Sequence, residues 1–332
     1  MKNSKVKRAG NLTEMIADLS NLQEAFMKAR RGKQYGKDVL AFAANLDAEL
    51  SKLKSSILSG DVSVGKYHTF EIFDPKQRTI CAASFDERVL HHAVMNICNP
   101  YFERQFISDT YATRKGKGQY AALERAFKAF GKYDCVLKLD FRKYFDSIPH
   151  ALLKRRLLHI FKDKTLLKIF FRIIDTYSVT PGCGLPIGNL TSQYFANYYL
   201  SDLDHFAKEI LRIPCYVRYM DDILVFEPTR EKLQYDYEKI CAFAAEKSLT
   251  LKPPVFSTNI KGVPFLGYKL FKHKILLSRR SRHRFEGKCN EYCRYLSQGI
   301  WSQEDFQRHT LPLFAFVQHS YSMRLRRKIT SG

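Results

Sequence analysis

The sequence predicts an α+β protein, and two observations indicate this class. Apolar residues recur at helical spacing over residues 11–58 and again over 85–102 and 120–130. Runs of β-branched and aromatic residues at 215–217 and 223–226 are typical of two strands joined by a tight turn. We therefore expect an antiparallel sheet surrounded by helices.

The first part of the chain is predicted to be mainly helical. Residues 11–58 and 85–102 carry the helical pattern, whereas 66–80 is more strand-like. A basic, glycine-containing loop at 113–118 precedes the helix at 120–130. A phosphate-binding loop and a solvated basic turn are both compatible with this composition. The spacing is not that of a P-loop.

Two later segments carry polar residues at the edges of regular structure. Residues 136–141 alternate apolar and polar positions like a half-buried strand, with Asp140 at its end. A further helix is predicted after Asn189, with capping candidates at its start. Its apolar face comprises Phe195, Tyr199, Leu203, Phe206 and Ile210, and the capping candidates are Asn189, Thr191 and Ser192.

The most informative segment is Arg218-Tyr219-Met220-Asp221-Asp222. A single Asp in a turn is most often turn chemistry, because its side chain bonds the nearby backbone. Two fixed carboxylates about 4 Å apart repel by roughly 4 kcal/mol at an effective dielectric near 20, so cations are expected to neutralise them. If the strand that ends at Asp140 lies beside the hairpin, three carboxylates converge, as a Mg²⁺ site requires.

Several motifs in this order resemble those of reverse transcriptases. The resemblance runs from about Arg78 into the C-terminal region, and its motifs are Asp140 followed by Phe145, Leu185-Pro186-Ile187-Gly188-Asn189-Leu190-Thr191-Ser192-Gln193, Tyr219-Met220-Asp221-Asp222 and Phe265-Leu266-Gly267-Tyr268. It implies a right-hand polymerase fold. In that fold, residues 1–135 would form fingers with an N-terminal helical extension, 136–268 a palm with a fingers insertion around 150–182, and 269–332 a helical thumb.

The resemblance also implies an activity, RNA-directed DNA synthesis by two-metal nucleotidyl transfer. Asp140, Asp221 and Asp222 would be catalytic and would bind two Mg²⁺ ions, with Mn²⁺ as a substitute and Phe141 as a further metal-binding position. A lysine that protonates pyrophosphate is usual in the family, but Val255 stands where it would align. Lys252 and Lys261 are the alternatives for this role; otherwise the acid is absent or aligns at another position.

Substrate-binding residues follow from the same resemblance. The incoming dNTP would be bound by Arg78, Phe145, Ile187 and Gly188, and the template and primer by Arg114, Lys115, Ser192, Gln193, Tyr219, Met220, Arg279 and Arg280. Plainer interpretations exist for two of them. A surface salt bridge is the alternative for Arg78, and a core position is the alternative for Phe145.

Ile187 and Gln193 resemble the variant found in diversity-generating retroelements. Most reverse transcriptases have Gln at the first position, and many bacterial ones end the segment in Ser-Pro. The resemblance implies cDNA synthesis that is error-prone at template adenines, a retroelement RNA and a small basic accessory protein. Group II intron-like, retron-like and defence-associated enzymes are the alternatives, as is an inactive basic RNA-binding protein.

Composition agrees with a nucleic-acid partner. Lys and Arg number 55 against 33 acidic residues, giving a formal net charge of +22 and a pI near 9.6. We expect a cytoplasmic protein, bacterial or phage-encoded, since the sequence predicts no membrane segment and the start of the chain, Met1–Lys5, carries no secretory signal. The eight cysteines lack the spacing of a zinc ribbon or a disulfide scaffold and are expected to be reduced.

Overall fold

The computed structural model describes residues 8–73 and 77–330, the side chains of 328–330 excepted. Two compact units are interleaved along the chain. The first comprises the residues up to Ile107 together with Phe141–His205 and Ala242–Thr250, and the second comprises Ser108–Asp140, Phe206–Cys241 and the residues from Leu251 onward.

Helices make up most of the first unit. They are α1 (Thr13–Ile16), α2 (Leu19–Ala29), α3 (Lys37–Ala44), α4 (Leu46–Ser59), α5 (Phe85–Glu103), α7 (His150–Ile160), α8 (Lys164–Asp175), α9 (Leu190–Tyr199) and α10 (Ser201–His205). Part of their apolar core is built around Phe102 on α5, whose ring contacts Phe161, Phe195 and Tyr198 at centroid distances of 5.5 to 6.3 Å. Aromatic burial of this kind is the main stabilising contribution to such a core.

One hairpin belongs to the same unit. Strands β1 (Tyr67–Phe73) and β2 (Gln77–Ala83) pair antiparallel, with Phe73 opposite Gln77. The predicted strand character of 66–80 is therefore confirmed for residues 67–73 and 77–80. Residues 74–76 of this segment lie outside the described residues, as do Met1–Lys5.

A four-stranded antiparallel sheet is the centre of the second unit. Its strands are β3 (Cys135–Leu139), β4 (Cys215–Tyr219), β5 (Asp222–Glu227) and β6 (Val255–Thr258), in the order β4-β5-β3-β6. Helix α6 (Gln119–Phe130) packs on one face, where Phe130 meets Phe226 edge-on at 5.2 Å. Helix α11 (Arg230–Glu246) begins after β5 and continues into the first unit.

A second sheet and three helices complete this unit. Strands β7 (Val263–Phe265), β8 (Tyr268–Leu270) and β9 (Ile275–Leu277) form an antiparallel meander, followed by α12 (Arg279–Ser297), α13 (Gln303–Val317) and α14 (Met323–Thr330). Ser302 begins α13 with a capping box, accepting from the Asp305 amide while the Asp305 carboxylate accepts from the Ser302 amide.

The helix predicted to extend to Ile210 is interrupted. Helix α9 ends at Tyr199, α10 ends at His205, and Phe206–Ile210 forms a π-helical turn in which Leu211 N–H donates to the Phe206 carbonyl. Ile210, predicted on the apolar face, is 69% exposed. That part of the prediction is wrong, because side-chain spacing does not report a change in the backbone hydrogen-bond pattern.

The cysteines and the helices bear on two further expectations, reduced thiols and the absence of a membrane segment. All eight cysteines are free thiols, and four of them are buried: Cys81, Cys98, Cys215 and Cys289. Within the described ranges, no helix has both the length and the apolar character needed to cross a membrane.

Candidate active site

The hairpin that carries the aspartates has a two-residue loop. Tyr219 pairs with Asp222, so Met220 and Asp221 form the turn between β4 and β5. Met220 has a φ of 55°, a left-handed conformation that is uncommon for a residue with a side chain. Positive φ at the first loop residue matches the twist of a tight hairpin and is the reason glycine is usually found there. Strain of about 1–2 kcal/mol is therefore stored beside Asp221.

A buried guanidinium supports this turn. Arg218 is fully buried, and its Nη1 donates to the carbonyl of Met220 over 2.9 Å. The Arg218 backbone is also held, since its N–H donates to the Asp109 carbonyl at 3.0 Å and its carbonyl accepts from Tyr111 N–H at 2.9 Å. Both backbone polar groups of Arg218 are thus fixed by the neighbouring segment.

Strand register places Asp140 beside the same turn. Leu139 pairs with Ile223, so Asp140 comes just past the end of β3, level with Asp222 at the start of β5. Paired residues share one face of a sheet, and Lys138 therefore lies diagonally across from Asp222 on that face. The expectation that Asp140 ends a strand next to the hairpin is confirmed.

The carboxyl group of Asp222 has a perturbed pKa. Burial raises its pKa to about 6; Lys138 lowers it, and the neighbouring charges of Asp221 and Asp140 raise it. Lys138 Nζ lies 3.1 Å from Oδ1 and donates to Oδ2 over 3.4 Å. Asp221 and Asp140 therefore both lie close enough to Asp222 to influence its charge.

Asp140 is paired with a different lysine. The Lys252 ammonium donates to Asp140 Oδ2, and the Lys252 backbone N–H donates to the Asp140 carbonyl over 2.8 Å. Val255, the residue aligned with the family's usual lysine, pairs with Lys138 in the sheet. Of the two possible substitutes named from the sequence, Lys252 lies at the carboxylates.

The three carboxylates of Asp140, Asp221 and Asp222 are suitable ligands for a hard divalent cation, although Asp140 and Asp222 form ion pairs with lysines. In the described parts of the chain, no group of three or more His, Cys, Asp or Glu side chains is arranged to hold a metal ion as it stands. Carboxylate oxygens are the ligands that Mg²⁺ prefers, and the buried Asp222 Oδ1 has the Lys138 ammonium 3.1 Å away but accepts no well-aligned hydrogen bond from the described residues. Phe141 is buried in the first unit against Tyr144, at 5.5 Å.

The predicted nucleotide-binding residues come together in the first unit. The Ile187 carbonyl accepts from Cys81 N–H on β2 over 2.8 Å, and Arg78 is exposed on the same strand. Gly188 has a φ of 120°, and a Cβ there would lie 2.8 Å from the Ile80 side chain. Glycine at position 188 is therefore required by close packing on β2.

Phe145 joins this group through the backbone. Its carbonyl accepts from Leu185 N–H over 2.9 Å, which brings the Phe145 backbone next to the segment that contains Ile187, and its ring is half-exposed. Asn189, at the start of α9, does not cap the helix with its side chain. Its Oδ1 accepts instead from Ala83 N–H at 3.1 Å. The predicted capping role is wrong, and Asn189 fastens the same loop to β2.

Comparison with known proteins identifies the family. Residues 73–270 match the sequence profile described as reverse transcriptase (RNA-dependent DNA polymerase), which is more than half of the 332 residues. The chain belongs to the reverse transcriptase family.

Individual relatives of this reverse transcriptase come from bacteria and yeast. Protein YkfC of Escherichia coli is 22% identical over 284 residues, covering 70% of this chain and 73% of YkfC. The COX1/OXI3 intron 1 protein of Saccharomyces cerevisiae is 21% identical over 241 residues, 69% of this chain and 28% of that protein. The group II intron-encoded protein LtrA of Lactococcus lactis is 24% identical over 146 residues, 41% of this chain and 24% of LtrA. The chain thus spans about a quarter of these two intron proteins.

The predicted template and primer residues of the reverse transcriptase have varied exposure. Lys115, Gln193, Arg279 and Arg280 are exposed, and Arg114, Tyr219 and Met220 are half-buried. Arg114 Nη1 donates to the Thr110 carbonyl over 2.9 Å. Ser192 is 2% exposed within α9, so its contact with nucleic acid remains a prediction that would require movement of neighbouring groups.

Two residues of this site were not identified from the sequence. Lys138 stands two positions before Asp140 on a strand, and the period of two would have placed both on one face. Arg218 is a charged residue in an otherwise apolar strand. A charged side chain in such a position indicates a group that is buried and paired.

Proposed function

We propose that the chain is an RNA-directed DNA polymerase that copies a retroelement RNA into cDNA, with fingers, palm and thumb regions as in a right-handed polymerase. One observation carries this conclusion: Asp140, Asp221 and Asp222 lie at one edge of an antiparallel sheet in a chain that belongs to the reverse transcriptase family. Asp140 and Asp221 are the proposed ligands of Mg²⁺, for which Mn²⁺ would substitute, with Asp222 as the third carboxylate and Phe141 as a further metal-binding position.

The chemistry depends on charge at this edge. Asp140 and Asp221 would hold the divalent cations, which would supply Lewis-acid charge to the reacting oxygens of the primer and the nucleotide. The protein residues position these groups. Arg218 fixes the turn that presents Asp221, and Lys252 neutralises Asp140 until the site is loaded. The ammonium of Lys252 is also the group of this edge that is best placed to donate a proton.

The residues near β2 are proposed to bind the incoming nucleotide. The exposed Arg78 guanidinium suits a triphosphate, because its planar fork can donate to two phosphate oxygens. Phe145 would exclude a 2′-hydroxyl by contact, which favours deoxyribonucleotides. Ile187 would face the base pair with an apolar side chain, and such contacts discriminate less sharply than directed hydrogen bonds.

Nucleic acid is the proposed partner of the basic surfaces. Lys115 in the glycine loop and Arg279 and Arg280 at the start of α12 are exposed, as phosphate contacts require. A net charge of +22 supports binding that weakens steeply with salt, through release of condensed counterions.

A diversity-generating retroelement is the proposed biological setting. Ile187 and the exposed Gln193 support it, because they resemble that variant of the motif. The proposal includes misincorporation at template adenines and a small basic accessory protein. Group II intron-like function is the second candidate, favoured by similarity to LtrA and to the yeast intron protein.

Two substitutions test the proposal. Asp221→Asn is expected to abolish Mg²⁺-dependent dNTP incorporation while RNA binding is retained, and exposed Asp47→Asn on α4 is the matched control. Near-normal synthesis by Asp221→Asn would refute the site, and no synthesis by the wild-type chain would favour an inactive RNA-binding protein.

Sequencing cDNA made from a defined RNA separates the diversity-generating function from the group II intron-like function. Ile187→Gln should suppress errors at adenine, whereas Ile210→Gln, at an exposed isoleucine, should not.

A further inference from the structure

Lys138 lies between the catalytic hairpin and the second sheet of its unit. Its Nζ donates to the Pro264 carbonyl on β7 over 2.9 Å and to Asp222 Oδ2 over 3.4 Å, and lies 3.1 Å from Asp222 Oδ1. The Lys138 ammonium therefore forms an ion pair with Asp222 and is held in place by its hydrogen bond to the Pro264 carbonyl. One side chain links β3, β5 and β7.

The two lysines of the site differ in how firmly they are held. The Lys138 and Asp222 side chains are 19% and 24% exposed, whereas those of Lys252 and Asp140 are 33% and 36% exposed. Water screens the more exposed pair better, so it contributes less to stability and exchanges more readily for a hydrated cation. Lys138 would have to give up both Asp222 and the Pro264 carbonyl to leave.

We propose that Lys138 is a positioning residue that retains Asp222 as a structural carboxylate and leaves Asp140 and Asp221 to bind the divalent cation. The inference rests on the proposed function, since it assigns roles among the proposed ligands. It gives the two adjacent aspartates of the turn different tasks. In this proposal Asp221 is a ligand of the cation, and Asp222 joins the turn to β7 through the Lys138 ammonium.

Removal of Lys138 should change which carboxylates bind metal. In Lys138→Met, Asp222 loses its counter-charge and becomes an available ligand for the cation, so its contribution to metal binding increases. A purely structural salt bridge would instead lower stability without altering the dependence of metal affinity on Asp222. A double-mutant cycle measures this difference directly.

The experiment measures Mn²⁺ affinity by electron paramagnetic resonance in the full chain without substrate. Asp140→Asn is expected to weaken Mn²⁺ binding about tenfold and Asp222→Asn by less than about threefold, because only the former removes a ligand. In the Lys138→Met background, Asp222→Asn should weaken binding by about tenfold. Lys138→Arg keeps a cation and should restore the wild-type pattern. Lys239→Met, at an exposed lysine on α11, is the control.

Two results would overturn the inference. One is a loss of Mn²⁺ affinity in Asp222→Asn as large as in Asp140→Asn with Lys138 present. The other is an equally small effect of Asp222→Asn with and without Lys138. Binding that is indifferent to Asp140 as well would instead reject the proposed metal site, and the inference with it. Circular dichroism checks folding of each variant. The first of these two results needs no Lys138 variant, so the inference is still tested if Lys138→Met unfolds.

Discussion

Arg218 donates a hydrogen bond of 2.9 Å to the carbonyl of Met220, the residue that enters the hairpin turn in a left-handed conformation. A fully buried charge thus stabilises a strained backbone next to Asp221. Burial of a guanidinium costs free energy unless its N–H groups donate hydrogen bonds. The turn geometry that presents the Met220 carbonyl to Arg218 therefore contributes to the stability of the fold.

The first prediction concerns this pair. Arg218→Lys should reduce turnover at least tenfold and destabilise the chain by about 2 kcal/mol, because one ammonium cannot replace the guanidinium. In a Met220→Gly background the same substitution should reduce turnover less, since glycine adopts a positive φ without strain. Single-turnover rates and thermal unfolding measure both effects. Equal losses in the two backgrounds would show that Arg218 does not act through the turn.

Phe145→Ala should raise ribonucleotide incorporation relative to deoxyribonucleotide incorporation. The ring is half-exposed, and its removal opens space for a 2′-hydroxyl beside the Leu185–Gly188 segment. The measurement is the ratio of kcat/KM for dNTP and NTP. Phe171→Ala on α8, at another half-buried phenylalanine, is the control and should leave that ratio unchanged. An unaltered ratio in Phe145→Ala would make Phe145 a core residue only.

Gly188→Ala should weaken both folding and nucleotide binding. A Cβ would lie 2.8 Å from Ile80 Cγ2 and 3.3 Å from the Cys81 carbonyl oxygen, at a φ of 120°. We expect a loss of about 2 kcal/mol in the free energy of unfolding and a higher KM for dNTP. Gly182→Ala, also at a positive φ but with open space around it, separates backbone strain from steric contact. Equal losses of stability in the two variants would exclude the packing explanation.

Stability should depend on pH through Glu227, at the other end of β5 from Asp222. Burial and the neighbouring Asp236 carboxyl raise the pKa of Glu227 from 4.5 to about 7. The folded chain therefore retains a proton that the unfolded chain loses between these values. Its stabilising contribution is complete below pH 4.5 and is lost as pH rises through 7, with a magnitude on the order of 2 kcal/mol.

Glu227→Gln is the test of this linkage. The variant should lose that part of the decline in stability between pH 4.5 and 7 and should be at least as stable as wild type at pH 8. Urea unfolding across this pH range measures it. Glu238→Gln, at an exposed glutamate on α11, should retain the wild-type slope. A Glu227→Gln curve parallel to wild type would assign the pH dependence to other groups.

Local pattern was sufficient to predict the strand that ends at Asp140, the hairpin and most helices. Each of these segments is short and strongly periodic, and the residues that form its turn or cap lie next to it in the sequence. The contact of Lys138 with the Pro264 carbonyl could not be predicted, because it joins residues 126 positions apart in two sheets. Nor could the π-helical turn after His205, since side-chain periodicity is nearly the same for a continuous helix.

The attachment of Ile187 to β2 has a consequence for how such a protein can change. Its carbonyl, and not its side chain, makes the hydrogen bond to Cys81, and the next two residues are held by close packing and by the Asn189 amide. Any amino acid at position 187 has the backbone carbonyl that makes this hydrogen bond, so the loop conformation does not depend on the side chain there. The side chain at position 187 can therefore be exchanged without rebuilding the scaffold that displays it.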